Sequence, residues 1–81
     1  MYNSAYKKGE VEMLEFETNA LGKLKILALI GDIALLEKQY DASEKYIIAY
    51  GFDLNEKRWR SGSYCISLKE AFKEFKSAVK I

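Results

Sequence analysis

Residues 26–36 read ILALIGDIALL, an almost unbroken apolar run in which Asp32 is the one charged side chain. The surrounding segment 19–40, NALGKLKILALIGDIALLEKQY, is rich in Leu, Ala, Lys and Glu, the residue types that favour helices. Asn19 suits the N-cap position, where its side-chain oxygen can accept a hydrogen bond from an otherwise unpaired backbone amide. The composition therefore predicts a long helix over 19–40.

Two glycines leave the continuity of this predicted helix open. Gly22 and Gly31 lie inside 19–40, and a glycine weakens a helix by about 1 kcal/mol relative to alanine. Gly31 could end a first helix while Asp32 caps a second one. Alternatively the helix is continuous and Asp32 lies on its surface, because unpaired carboxylates are rarely buried.

The same apolar run is too short to cross a membrane. A spanning helix needs about 20 apolar residues, whereas charged side chains bracket 26–36 closely on both sides, at Lys23, Lys25, Glu37 and Lys38. A helix that is apolar all round is typical of a core helix covered by other elements. A homodimer contact through the 26–36 helix is the alternative, because a short chain has little material with which to wrap it. We expect no membrane association.

The segment 45–53, KYIIAYGFD, is rich in β-branched and aromatic residues, which favour strands. In a strand its side chains would alternate strictly between the two faces of the sheet. One predicted face carries Tyr46, Ile48, Tyr50 and Phe52, and the other carries Ile47, Ala49 and Gly51. Residues 54–57 provide a turn, and 58–66, RWRSGSYCI, return as the partner strand. These segments predict a β-hairpin.

The last segment predicts a helix that begins after Ser67 and ends near Lys80. Ser67 and Glu70 form a capping-box pattern, in which the serine at the N-cap and the glutamate at the third helical position satisfy each other's backbone amides. The predicted apolar face of this helix carries Leu68, Phe72, Phe75 and Val79.

The first residues are less regular. Segment 11–18, VEMLEFET, alternates imperfectly, which fits either a strand with a bulge or the first turn of a helix, and we prefer the strand. Residues 1–9 have no clear period and are expected to form a loose tail.

The resulting prediction is one α+β domain over 1–81 in the order βαββα, with a three-stranded antiparallel sheet and two helices packed on it.

The residue types that catalysis needs are missing or isolated. The chain has no histidine, so the commonest general acid–base and metal ligand is absent. Its five glycines are scattered and match no phosphate-binding loop. Cys65 is the single cysteine, which excludes a disulfide within the chain and a cysteine-based zinc site. We therefore expect no enzymatic activity, no metal and no cofactor, and Cys65 is expected to be a small core residue.

The charge balance argues against a dedicated nucleic-acid domain. The 13 Lys and Arg residues oppose 12 Asp and Glu residues, a net charge of +1, whereas nucleic-acid domains usually carry a clear basic excess. Residue types with A/T-rich codons predominate, which suggests a low-GC bacterium, its phage or a mobile element. Without a disulfide framework or a signal peptide, the chain is expected to be cytoplasmic.

The stretch 56–65, EKRWRSGSYC, is the strongest candidate for a binding surface. Strand alternation places Arg58, Arg60 and Tyr64 on one face and Trp59 on the other, whereas a nucleic-acid stacking platform needs aromatic rings and cations together. Trp, Tyr and Arg are the residue types enriched in protein-binding hot spots. The predicted partner-binding residues are Arg58, Trp59, Arg60, Tyr64, Tyr46 and Tyr50. We therefore predict a small non-enzymatic protein-binding module, an adaptor, regulator or inhibitor that acts by direct contact with a protein partner.

The alternative is a protein that binds the nucleic-acid backbone through a lysine stripe on the last helix together with Arg58 and Arg60 of the basic hairpin. Four lysines fall within a sector of about 60° on the last predicted helix, and they are the predicted phosphate-contacting residues: Lys69, Lys73, Lys76 and Lys80. Lysines that flank the core face of a surface helix, with their ammonium groups in water, give the same pattern. Protein contact is preferred because a net charge of +1 offers little attraction to phosphates.

Overall fold

The computed structural model describes residues 14–80, which form a five-stranded antiparallel sheet and a C-terminal helix. The elements are β1 (Glu15–Thr18), β2 (Gly22–Ile30), β3 (Ile33–Lys38), β4 (Tyr46–Tyr50), β5 (Ser61–Cys65) and α1 (Leu68–Val79). The strands lie in the order β1-β2-β3-β4-β5, so each strand pairs with its neighbour in the chain. The predicted βαββα order, with a three-stranded sheet and two helices, is wrong.

The predicted helix over 19–40 is instead the β2–β3 hairpin. Ile30 pairs with Ile33, which leaves Gly31 and Asp32 as a two-residue turn. Gly31 has a φ of 61°, as a type II′ hairpin turn requires at its first central position. Asp32 is exposed, but on a turn and not on a helix. Because 26–36 is not a helix, the homodimer contact predicted through such a helix has no structural basis.

The sequence of 19–40 resembles a helix because β3 is buried on both faces of the sheet. Ala34 and Leu36 point to one face of the sheet and Leu35 points to the other, and all three side chains are buried. A strand that is covered on both faces loses the alternation of apolar and polar residues, and its sequence then resembles a buried helix. In β2 the register shifts between Ile26 and Ala28, a β-bulge that interrupts the alternation further.

One face of the sheet, here called the aromatic face, is covered by side chains from the sheet itself and its loops. Its buried residues are Leu24, Ile26, Ala34, Leu36, Ile47, Ala49 and Phe52. Phe52 lies between Phe16 and Trp59, with ring centroids 5.9 Å and 6.0 Å away. Phe16 belongs to the edge strand β1, and Trp59 precedes the other edge strand, β5. The sheet is therefore curved, so that side chains from near both edges meet around Phe52.

The other face, here called the helix face, is covered by α1. The buried residues between them are Leu35, Ile48, Cys65, Ala71 and Phe75. The helix packs mainly on β3, β4 and β5, and it therefore leaves β2 uncovered on this face. Ser67 is the N-cap, as predicted, and its Oγ accepts a hydrogen bond from the Glu70 amide at 3.2 Å.

The predicted hairpin is confirmed as the β4–β5 pair, but two of its aromatic side chains lie on the opposite face from the one predicted. Gly51 has a φ of 70° and turns the chain, so Phe52 reaches the aromatic face while Tyr50 stays on the helix face. Trp59 precedes β5 and packs over Gly62, where an added Cβ would lie 3.2 Å from Trp59 Nε1. Strand alternation fails at both positions because neither residue belongs to a strand.

The preference for a strand at 11–18 is confirmed over Glu15–Thr18. Residues 11–13 of that segment, and the predicted loose tail at 1–9, lie outside the described residues.

Candidate functional site

An open apolar groove lies between β2 and the N-terminal half of α1. It has a volume of about 530 Å³. Its lining residues, which define the β2–α1 groove, are Leu27, Ala28, Leu35, Leu68, Lys69 and Phe72. Leu27 is 38% exposed, Leu68 48% and Phe72 50%, so large apolar side chains face water on both walls of the groove.

The bulge in β2 creates one wall of the β2–α1 groove. Leu27 is the extra residue between Ile26 and Ala28, and it has no partner on β3. Such a residue is left out of the strand pairing, and the Leu27 side chain lines the groove. Ala28 and its β3 partner Leu35 form the floor. The small alanine side chain leaves depth between the two walls.

The opposite wall is one flank of α1. Leu68 and Phe72 are four residues apart and therefore lie one above the other on the helix surface. Lys69 also lines the groove, and the Lys76 ammonium lies 5.5 Å from the centre of the Phe72 ring. The groove thus combines an apolar floor with a basic rim.

Sequence patterns did not predict the β2–α1 groove. Leu68 and Phe72 were expected on the buried face of the last helix, but the sheet beneath covers only Phe75 and Ala71 fully. Leu27 was placed in a core helix, and no periodicity in the sequence marks it as the residue of a bulge. The groove depends on which strands the helix covers, which is a property of the tertiary fold.

The residues predicted for partner binding are not brought together. Tyr46 and Tyr50 are half-buried on the helix face beside α1. Tyr64 is 42% exposed, and the Lys38 ammonium lies 5.3 Å from its ring centre. The predicted set therefore divides between the two faces and the loop before β5: Arg58, Trp59, Arg60, Tyr64, Tyr46 and Tyr50.

The basic residues beside Trp59 are exposed, as predicted. Arg58 borders a small hollow of about 220 Å³ together with Trp59. Arg60 lies across Gly51, where an added Cβ would be 2.5 Å from its Nη1 atom. Trp59 itself is half-buried against the core of the aromatic face. The expectation that Trp59 contributes to the core is confirmed.

The four lysines of the predicted phosphate-contacting set all belong to the exposed surface of α1 or its C-cap: Lys69, Lys73, Lys76 and Lys80. Lys69 is part of the groove, whereas Lys73 and Lys80 lie outside it. The stripe is therefore accessible to a partner.

A polar cluster joins α1 to the sheet on the side away from the groove. The Tyr50 hydroxyl donates to Glu74 Oε2 at 3.0 Å, and the Cys65 thiol donates to Glu74 Oε1 at 3.7 Å. Burial, followed by the hydrogen bond to Glu74 and its charge, raises the pKa of Tyr50 above its usual range. Burial, followed by the charges of Glu74 and Glu70, likewise raises the pKa of Cys65. A thiol with a raised pKa is a weak nucleophile at neutral pH, and Cys65 is a buried core residue as predicted.

The raised pKa values of Tyr50 and Cys65 predict a loss of stability in alkali. Both groups are neutral when protonated, and the fold favours the protonated form. Their stabilisation is therefore complete below the usual cysteine pKa of about 8.5 and is lost as the pH rises through the raised values in the folded protein. Urea unfolding at a series of pH values from neutral upward should show this decline.

The Tyr50→Phe/Cys65→Ala double variant is the control, because it removes both titrating groups from the cluster. Its unfolding free energy should fall less steeply with alkaline pH than that of the wild type. Identical slopes in the two proteins would show that the decline comes from other groups.

Two features of the described range concern membranes and metals. Across residues 14–80, no helix is both long enough and apolar enough to span a bilayer. Within the same part of the chain, no three His, Cys, Asp or Glu side chains are grouped as metal ligands would be.

Comparison of the chain with protein-family models, curated proteins and solved structures finds no match.

Proposed function

We propose that this protein is a small non-enzymatic module that binds a protein partner in the β2–α1 groove and acts as an adaptor, regulator or inhibitor. The observation that carries the proposal is the exposure of Leu27, Leu68 and Phe72 around one groove of about 530 Å³. Exposed apolar side chains that surround a concave surface are typical of protein and ligand binding sites.

The chemistry of the groove defines the partner that fits it. Leu27, Leu68 and Phe72 favour a segment that inserts leucine-like or aromatic anchors. Lys69 and Lys76 at the rim favour acidic residues beside those anchors. An amphipathic segment with an apolar stripe and flanking carboxylates meets both requirements.

Substitution of Phe72 by aspartate tests this site. The substitution removes the aromatic wall of the groove, and the new carboxylate would be desolvated against the apolar anchors of the partner and would repel its flanking acidic residues, so we expect partner affinity to fall at least about tenfold. The assay is affinity capture from a low-GC bacterial lysate, identification of the retained protein by mass spectrometry, and titration of that purified protein. Circular dichroism should show an unchanged fold, because Phe72 is half exposed.

Ile66→Asp is the matched control for this substitution. Ile66 is 70% exposed and does not line the groove, so the same chemical change there should leave affinity within about twofold. Arg58→Ala tests the hairpin surface predicted from the sequence. Equal losses from Phe72→Asp and Ile66→Asp, or a loss from Arg58→Ala alone, would contradict binding in the groove.

Nucleic-acid backbone binding is the second candidate, and the exposed lysine stripe of α1 favours it. Lys73→Glu and Lys80→Glu separate the two functions, because these residues lie outside the groove. Capture that is lost after nuclease treatment, falls steeply with salt and is abolished by these two substitutions would support nucleic-acid binding. Capture that survives all three treatments supports a protein partner.

A further inference from the structure

Among the described residues, nothing covers the outer edge of β5. Within residues 14–80, β5 pairs with β4 alone, and every second residue of such an edge strand directs its backbone N–H and C=O away from the sheet. Proteins usually protect an edge with charged residues, proline or a bulge. β5 has the sequence SGSYC, which contains neither charge nor proline, and its five pairs with β4 follow a continuous register.

The other edge strand of the sheet, β1, is short and carries charged side chains. β1 is four residues long and carries Glu15 and Glu17 on the same face. Pairing of β1 with a second β1 would bring these carboxylates together, and like charges on adjacent strands are destabilising. β5 is therefore the edge on which another strand can be added.

We propose that β5 pairs antiparallel with β5 of a second copy of this chain, about a two-fold axis at Ser63, so that two sheets become one continuous sheet. In this register Gly62 of each copy lies opposite Tyr64 of the other. Tyr64 is 42% exposed, and Gly62 has no side chain of its own. An aromatic side chain opposite an edge glycine is a known means of stabilising strand pairs.

The position of Trp59 favours pairing with a second copy of this chain in the register centred on Ser63. Its indole lies over Gly62 on the aromatic face, the face to which Tyr64 also belongs. Because the indole occupies the space over Gly62, the Tyr64 ring of a second copy would pack against the edge of Trp59. The two-fold axis repeats this contact, and the remaining opposed residues are uncharged: Ser61 with Cys65, and Ser63 with itself.

The β2–α1 groove takes no part in this contact. It lies on β2 and the flank of α1 that faces β2, whereas β5 is at the far edge of the sheet. The proposal therefore does not rest on the proposed function. A dimer of this kind would leave both grooves open.

Disulfide capture tests the register. Two antiparallel strands place directly opposed Cα atoms about 4.5–5.5 Å apart, which a disulfide can span. Ser63→Cys in a Cys65→Ala background should therefore give a covalent dimer under mild oxidation, visible on a non-reducing gel. Ser61→Cys in the same background is the matched control, because Ser61 faces position 65 of the second copy and should cross-link far less.

Light scattering on the full wild-type chain, from about 1 µM to about 1 mM, tests the association itself. We expect a concentration-dependent dimer, and Tyr64→Ala should raise its dissociation constant at least about fivefold through the loss of two cross-strand pairs. Circular dichroism should confirm that Tyr64→Ala remains folded. A monomer at every concentration overturns the proposal and leaves the edge to a strand of a different protein. A dimer that resists Tyr64→Ala, does not cross-link at Ser63 and is lost in Phe72→Asp also overturns it.

Discussion

Replacement of Phe75 by alanine is expected to destabilise the fold by about 3–5 kcal/mol, the range for removal of a buried aromatic side chain. Phe75 is 2% exposed and is the large side chain with which α1 enters the cluster around Leu35 and Ile48. Small domains have total stabilities of about 5–15 kcal/mol. The substitution should therefore remove a large part of the stability of this protein.

Phe72→Ala is the matched control, since it changes the same residue type one turn earlier on α1. Phe72 is 50% exposed, so we expect a cost below about 1 kcal/mol. Urea unfolding of both variants can be followed by helical circular dichroism and by the fluorescence of Trp59, the single tryptophan, on the opposite face of the sheet. Equal costs for the two substitutions would show that α1 is docked through a different set of side chains.

Replacement of Trp59 by alanine is expected to cost about 2–3 kcal/mol, below the range for a fully buried aromatic residue because Trp59 is half-buried. The indole packs on Gly62 and lies 6.0 Å from the Phe52 ring, centroid to centroid. Its removal would leave Gly62 and Phe52 without their cover on the aromatic face. Urea unfolding followed by circular dichroism measures the loss.

Arg58→Ala is the control for this substitution. Arg58 precedes Trp59 and is exposed, so its removal should change stability by no more than about 0.5 kcal/mol. If Trp59→Ala left stability unchanged but reduced binding of a partner, the tryptophan would be a contact residue, as the composition of 56–65 first indicated.

The β4–β5 hairpin and the C-terminal helix could be predicted because local rules determine both. Residues 46–50 are β-branched or aromatic except for Ala49, the residue types that favour strands, and they form β4. Ser67 satisfies an amide at the start of α1 through its own side chain. Such signals act within a few residues of the chain and do not depend on what covers the element.

The β2–β3 hairpin could not be predicted in the same way. Leucine and alanine fill β3 because both of its faces are buried, and these residue types also favour helices. The sequence left open whether the chain breaks at Gly31, and even a break would not have distinguished the two structures, because the end of a helix and a turn between two strands both favour a glycine with a positive φ. The distinction lies in the pairing of β3 with β4, which is a contact between different parts of the chain.

The same distinction, between signals within a few residues and contacts between distant parts of the chain, applies to the candidate sites. The exposure of the lysines on α1 follows from helical spacing and was predictable. The β2–α1 groove requires a bulge at Leu27 and a helix that covers β3 to β5 while leaving β2 open. Neither requirement has a local signal in the sequence.

The sequential order of the strands has a consequence for the rate of folding. Each strand finds its partner immediately before or after it in the chain, so the entropy lost in closing each loop is small. The longest connection, between β4 and β5, is itself shortened by the pairing of Asp53 with Arg58. Chains whose contacts are mostly local cross a lower folding barrier than sheets built from distant segments. This protein should therefore fold quickly for a sheet of its size, with hairpins as the first structures to form.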